Sequence, residues 1–213
     1  MNFKKASLIV FLLISSISCK YGNSDVSISS SSSEDIEESS SEYVDLYRDY
    51  DYNNGTLLKI KNIKIENNQI TIPSSINGKT IKTIYSNVFS DFEFNNDKLI
   101  TLIIPSSIIK IHNNAFSNCN FIEKVVFDLD SKLEEINEGV FSFCTNLKEI
   151  VFPTTLKKIE KDSFLECKSL TKIILPKTIK VISASAFYKC ENLEGFYTDG
   201  ESEYITIIDG VIY

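Results

Sequence analysis

The chain has no tryptophan, one histidine and one methionine, and over 213 residues it has only seven glycines and four prolines. Each shortage removes a class of explanation. Scarce glycine and proline exclude a collagen-like chain and a chain that is linker throughout. The single histidine, His112, excludes chemistry that needs two imidazoles from one chain. No GxGxxG, P-loop, GxSxG or HExxH pattern occurs, so the common nucleotide-binding, acyl-transfer and zinc-hydrolase signatures are missing. His112 reads as a surface residue, and Asp128 and Asp130 read as solvated loop carboxylates. The sequence therefore points to no catalytic residue, no cofactor and no metal. It also lacks a surplus of basic charge. The net charge is −7, and all of it sits in one place. Lys20–Asn53 carries nine acidic and two basic residues, whereas Gly55–Tyr213 carries 20 acidic and 18 basic. A nearly neutral body offers no basic face for nucleic acid.

Hydrophobic residues make up 43% of the chain, enough for a core. Residues 1–19 come first: Lys4 and Lys5, an apolar run from Ala6 to about Ile14, then small residues and Cys19. This is the pattern of a secretory signal and is too short to span a bilayer. Ser16-Ile17-Ser18-Cys19 resembles a bacterial lipobox, with Ser16 where leucine is usual. Cys19 is the lipidation candidate; the alternative is an ordinary cleaved signal with an incidental cysteine. Two acyl chains would hold the protein at a membrane. Residues 20–53 read as a disordered, Ser-rich acidic tether, because serine and like charges bury too little apolar surface to offset ordering. A recognition tail built on Tyr43, Tyr47, Tyr50 and Tyr52 is the sharper alternative. Residues 54–84 read as an N-terminal β cap and first partial repeat. A hairpin is expected around Asn67-Asn68, and Asn77-Gly78 is a tight-turn signal. Asn54-Gly55-Thr56 fits a glycosylation acceptor in a eukaryotic host.

Residues 85–198 repeat. An aromatic anchor recurs as Phe89, Phe116, Phe141, Phe164 and Phe187, at gaps of 27, 25, 23 and 23. Three residues after each Phe but the first comes a cysteine: Cys119, Cys144, Cys167 and Cys190. The corresponding place in the first coil falls to Asn96. Then follow Leu99, Ile122, Leu147, Leu170 and Leu193, a short strand, usually a proline, and a second apolar pair such as Leu156 and Ile159. A period of this length is the mark of a solenoid. One coil cannot bury its own Leu, Ile and Phe, so neighbouring coils supply the core.

The run C-x-x-L-x-x-I-x-L-P-x-x-I-x-x-I-x-x-x-A-F-x-x-C resembles the bacterial leucine-rich repeats of the BspA-like, or Treponema-type, family. The resemblance covers roughly Gly55–Tyr213, including INGKTIKTI and IDGVIY. It implies a β-rich leucine-rich repeat solenoid, a right-handed coil with parallel strands stacked along its axis and short turns or 3-10 segments between them. It also implies a secreted or cell-surface protein that adheres to proteins or cells. Residues 199–213 read as a hairpin-like end, either the finish of the repeats or a truncation, since that family usually continues past this motif.

Two columns follow from the register. The cysteines should form a buried thiol ladder, as small hydrophobes at one place in successive coils. Disulfides between adjacent coils are the alternative in an oxidising compartment. Metal ligation would want C-x-x-C spacing, which is absent. The outward strand positions read Ile103, Val126, Val151, Ile174 and Tyr197, flanked by Lys124, Glu149 and Lys172. This apolar stripe is the partner-binding candidate; simple β-propensity of branched residues is the competing explanation. Two functions are expected from this. One is a surface module that binds another protein through its repeat sheet. The other is a structural or self-associating surface lipoprotein with no external ligand.

Overall fold

The computed structural model describes residues 50–94 and 98–205, together with the backbone of residues 207–208 and 211–212. The signal-like segment, Cys19, the tether up to Asp49 and Asn96 lie outside the described residues. The described chain opens with β1 (Tyr50–Asn53), β2 (Thr56–Ile60) and β3 (Gln69–Thr71), then the short pair β4 (Ser75–Ile76) and β5 (Lys79–Thr80), then β6 (Thr83–Ile84). From there two strands alternate in each coil: β7 (Ile100–Ile104) and β8 (Lys110–Ile111), β9 (Ile122–Phe127) and β10 (Glu135–Ile136), β11 (Glu149–Val151) and β12 (Lys158–Ile159), β13 (Lys172–Leu175) and β14 (Val181–Ile182). The chain closes with β15 (Gly195–Thr198), β16 (Ile207–Ile208) and β17 (Val211–Ile212). No helix occurs among the described residues, and so none long and apolar enough to cross a membrane.

The fold is a β-solenoid of about six coils. Its first side is the parallel ladder β3-β7-β9-β11 followed by the parallel pair β13-β15. Its second side is β2-β6-β8 and then β10-β12-β14, also parallel. Turns make the third side. The alternation along each first-side strand explains which residues face in. In β7, Ile100, Leu102 and Ile104 are buried while Thr101 and Ile103 are not. After β2 the second-side strands are two residues long, and in β6, β8, β10 and β12 one of the two points inward: Ile84, Ile111, Ile136 and Ile159 are fully buried.

The turn side needs a sharp reversal, and the residues there show it. Asn87, Asn114, Gly139 and Asp162 take φ of 52°, 57°, 65° and 57°, two residues before successive Phe anchors. Asn, Asp and Gly tolerate this left-handed region best. At Gly139 a Cβ would also stand 2.1 Å from Asn114 Oδ1, so that side-chain amide would have to turn away. The anchors Phe116, Phe141 and Phe164 are fully buried. Removing each ring from water is worth about 2–3 kcal/mol. Neighbouring coils are joined on this side by backbone bonds, Phe141 N donating to Ser163 O at 2.8 Å and Phe164 N to Ala186 O at 2.8 Å.

Two expectations at the N-terminal end change. Residues 50–53, assigned to the tether, form β1, which pairs antiparallel with β2 across an Asn54-Gly55 turn. Tyr50 and Tyr52 pack against the core, which is why this stretch of an otherwise polar segment is ordered. The Asn67-Asn68 hairpin shrinks to a single bridge between Glu66 and Gln69, because β2 pairs with β1 and β6 instead of β3. That tight turn occupies both Gln69 backbone groups on the outer edge of β3, with N···O distances of 2.8 and 3.2 Å. It therefore blunts a strand edge that would otherwise invite pairing with another chain. Asn77-Gly78 does close a hairpin, β4 with β5.

Candidate interaction face and thiol column

The ladders bring the outward residues together. Thr71, Ile103, Val126 and Val151 are direct partners across β3, β7, β9 and β11, and Ile174 is the partner of Tyr197 across β13 and β15. The stripe is thus carried by two ladder segments, with the change between β11 and β13. Exposure rises along it. Ile103 and Val126 are half-buried, while Val151, Ile174 and Tyr197 are 38%, 46% and 49% exposed. The flanking column is less open to a partner. Lys124 and Glu149 are cross-strand neighbours whose charged atoms meet at 2.9 Å. Lys172 is exposed, and its neighbour across the ladder, Gly195, is buried.

The four repeat cysteines are free. Three of them share one geometry: Cys144 Sγ donates to Phe116 O, Cys167 Sγ to Phe141 O and Cys190 Sγ to Phe164 O, each at 3.1 Å. Each of these three thiols thus reaches back to the Phe carbonyl of the preceding coil, whereas Cys119 Sγ meets Ser117 O of its own coil at 3.9 Å. Burial keeps these thiols protonated. It pushes Cys144 up to about 12 and the less buried Cys190 up to about 11, and it raises Cys119 and Cys167 as well. Since the thiolate is the nucleophile and the metal ligand, the column is chemically quiet. Among the described residues no group of His, Cys, Asp or Glu is placed to hold a metal ion.

Other polar residues acquire roles that the sequence did not reveal. Asp128, read as a solvated loop carboxylate, accepts a bond from Ser106 N at 3.1 Å, and Asp199 accepts one from Lys177 N at 2.8 Å. Both stand directly after a first-side strand and fasten the turn of the coil before. That shared position is a signal that could have found them. His112 is only half-buried and lies against the Tyr85 ring, centroids 5.1 Å apart. Partial desolvation and then Lys110 lower its pKa, so the ring is more readily neutral than a free histidine.

A parallel β-solenoid with a Leu/Ile core, Phe-anchored turns and an open strand face has the build of leucine-rich repeat scaffolds. A family model for the BspA type leucine rich repeat region matches residues 29–121 and 49–194, with six copies of the repeat. The chain belongs to this family. It is similar to the crystal structure of a leucine rich repeat protein from T. pallidum, with 26% identity and a TM-score of 0.56 over 66% of this chain and 62% of that one. It is also similar to a leucine-rich repeat protein from Bacteroides ovatus, with 25% identity and a TM-score of 0.54 over 70% of this chain and 39% of that one. The chain thus spans less than two thirds of either relative. No curated protein matches it.

Proposed function

We propose that the protein is a secreted or cell-surface scaffold that binds another protein through the first side of its coils, with no catalytic step. Cys19 is its lipid attachment point, and residues 20–49 serve as the spacer between membrane and solenoid. The observation that carries this reading is the register-aligned apolar stripe that becomes most exposed at Val151, Ile174 and Tyr197. Buried core explains Ile173 and Leu175, but nothing in the core calls for Ile174 or Tyr197 to be apolar. An apolar centre with charge at its rim, here Lys172 and the Lys124–Glu149 pair, is the usual make-up of a protein interface. Membership of a repeat family built around extended binding faces agrees with it.

The test compares the full chain with its Val126→Lys, Val151→Lys, Ile174→Lys triple variant in capture of proteins from surface extracts. Captured partners should be lost from the triple variant while its melting temperature stays within a few degrees. Retained capture would remove this face from consideration. Mass analysis of the mature N-terminus decides the fate of Cys19.

A further inference from the structure

The chain holds two Asn-Gly pairs, Asn54-Gly55 and Asn77-Gly78, and each forms the two-residue turn of a hairpin. Such a pair carries its own chemistry. The nitrogen after asparagine can close a five-membered ring onto the side-chain amide carbon, and glycine has no side chain to block the approach. Ring closure turns the peptide plane between the two residues. A turn must therefore loosen before the atoms meet, and the firmness of its hold sets the rate.

Neither glycine nitrogen donates a hydrogen bond among the described residues, so both nucleophiles are free. Both asparagines are exposed and left-handed, with φ of 45° at Asn54 and 50° at Asn77. Their surroundings differ. Asn54-Gly55 closes a ladder of four pairs, from Tyr50 with Ile60 to Asn53 with Thr56. Gly55 O accepts from Lys82 N and Thr83 N at 2.8 and 3.1 Å, and a Cβ on Gly55 would stand 3.0 Å from Thr80 O. That turn is tied down and closely packed. Asn77-Gly78 closes only two pairs, Ser75 with Thr80 and Ile76 with Lys79. Residues 77–80 are all exposed, and a Cβ on Gly78 would meet nothing within 4 Å. A ladder this short opens at low cost. Asn77 Nδ2 also donates to Tyr52 Oη at 3.0 Å, and Tyr52 packs against the core. The Asn77 amide is thus a tie between the β4–β5 hairpin and β1.

We propose that Asn77 is a site of spontaneous covalent modification. Gly78 N gives its proton to solvent base and attacks Asn77 Cγ. The bond from Cγ to Nδ2 breaks, and ammonia leaves with a proton taken from water. A water molecule then adds to one carbonyl of the cyclic imide and breaks its bond to Gly78 N. Opening at Cγ leaves an aspartyl residue at position 77; opening at the main-chain carbonyl leaves a β-aspartyl linkage. The sum is one water consumed and one ammonia released, with no change of oxidation state. The β-aspartyl product adds a carbon to the backbone of the turn, so the two pairs of β4 and β5 lose their register. Either product replaces the amide donor to Tyr52 with a carboxylate. The hairpin is released from the N-terminal cap as the protein ages. The site is separate from the strand face and does not depend on it.

The experiment incubates the full chain in mildly alkaline buffer and follows both pairs by peptide mapping with mass spectrometry. The amide-to-acid mass change should appear at Asn77 about tenfold faster than at Asn54, as a modest difference in opening free energy implies. In urea the two rates should converge, because both are Asn-Gly pairs. Asn77→Gln should remove most of the early ammonia release. In the converted protein the amide of Ile81, which donates to Ser74 O at 2.8 Å, should exchange its hydrogen faster. Equal rates in the folded chain, a ratio that persists in urea, or unchanged exchange at Ile81 after conversion overturns the proposal.

Discussion

Phe116, Phe141, Phe164 and Phe187 stack coil upon coil with ring centroids 5.0–5.5 Å apart and planes within 3–16° of parallel, whereas Phe89 meets Phe116 at 6.0 Å and 40°. Both regions follow one residue plan, and both contain a coil longer than 23 residues. The contrast lies in where the extra residues fall. Between Phe116 and Phe141 two residues are added after Phe127, on the connection between first and second sides. The turn side is untouched, so its rings and thiols stay in register. Between Phe89 and Phe116 four residues are added after the anchor itself: Phe89 to Leu99 is ten residues, against six from Phe116 to Ile122. There the ring column tilts, the Cys119 thiol meets only Ser117 O, at 3.9 Å, and a cavity of about 500 Å³ opens beside Phe89 and Phe121. The place of an insertion, more than its length, decides whether a ladder survives.

The sharpest way to break this comparison is to remove a ring from each region. Phe141→Ala should destabilise by about 3–5 kcal/mol, the usual cost of emptying a packed aromatic site. Phe89→Ala borders a cavity that already exists and should cost about half as much. Equal shifts in urea midpoint would show that the two regions are packed alike. A smaller effect is expected from the thiols. Cys167→Ala removes a 3.1 Å bond to Phe141 O and should cost about 1–2 kcal/mol, while Cys119→Ala, at 3.9 Å, should cost a fraction of that.

The thiol column also sets a pH dependence. Burial raises the folded pKa of these thiols above the ordinary value of about 8.5, so the unfolded chain gives up its protons first. Their contribution is complete below that value and is lost as pH rises toward the 12 of Cys144. Chemical denaturation at pH 8 and pH 10 should show a drop that shrinks in the Cys144→Ala variant. The smallest effect has the opposite sign. Phe143 holds φ of 60°, a conformation that suits Asn and strains an aromatic residue, and Asn118 occupies the equivalent place one coil earlier. Phe143→Asn should raise stability by up to about 1 kcal/mol, read as a higher melting temperature.

Much of this was legible in the sequence because it repeats. The positions of Phe, Cys, Leu and Ile return in register, so side-chain columns could be written down before any geometry was known, and Val151, Ile174 and Tyr197 fell on the outward face. What could not be read had no period to announce it. β1 is hidden in an acidic, tyrosine-rich run whose composition resembles a spacer, and only its pairing with β2, from Tyr50 with Ile60 to Asn53 with Thr56, makes it a strand. Asn54-Gly55, which fits a glycan acceptor by sequence, forms the tip of that hairpin. The 27-residue gap after Phe89 marked an insertion, but not the cavity that opens beside Cys119.

The thiol column has one further property, its direction. Cys144, Cys167 and Cys190 all reach toward the coil made before them, and so do Thr155 and Thr178 to Leu133 O and Leu156 O, and Asn146 and Asn192 to Asn120 O and Lys168 O. Each coil brings its own side-chain donors and finds the matching acceptors already in place. For a polypeptide delivered N-terminus first, that is an order of assembly: every coil can close on a finished template as it emerges, and none of these bonds has to wait for residues not yet synthesised.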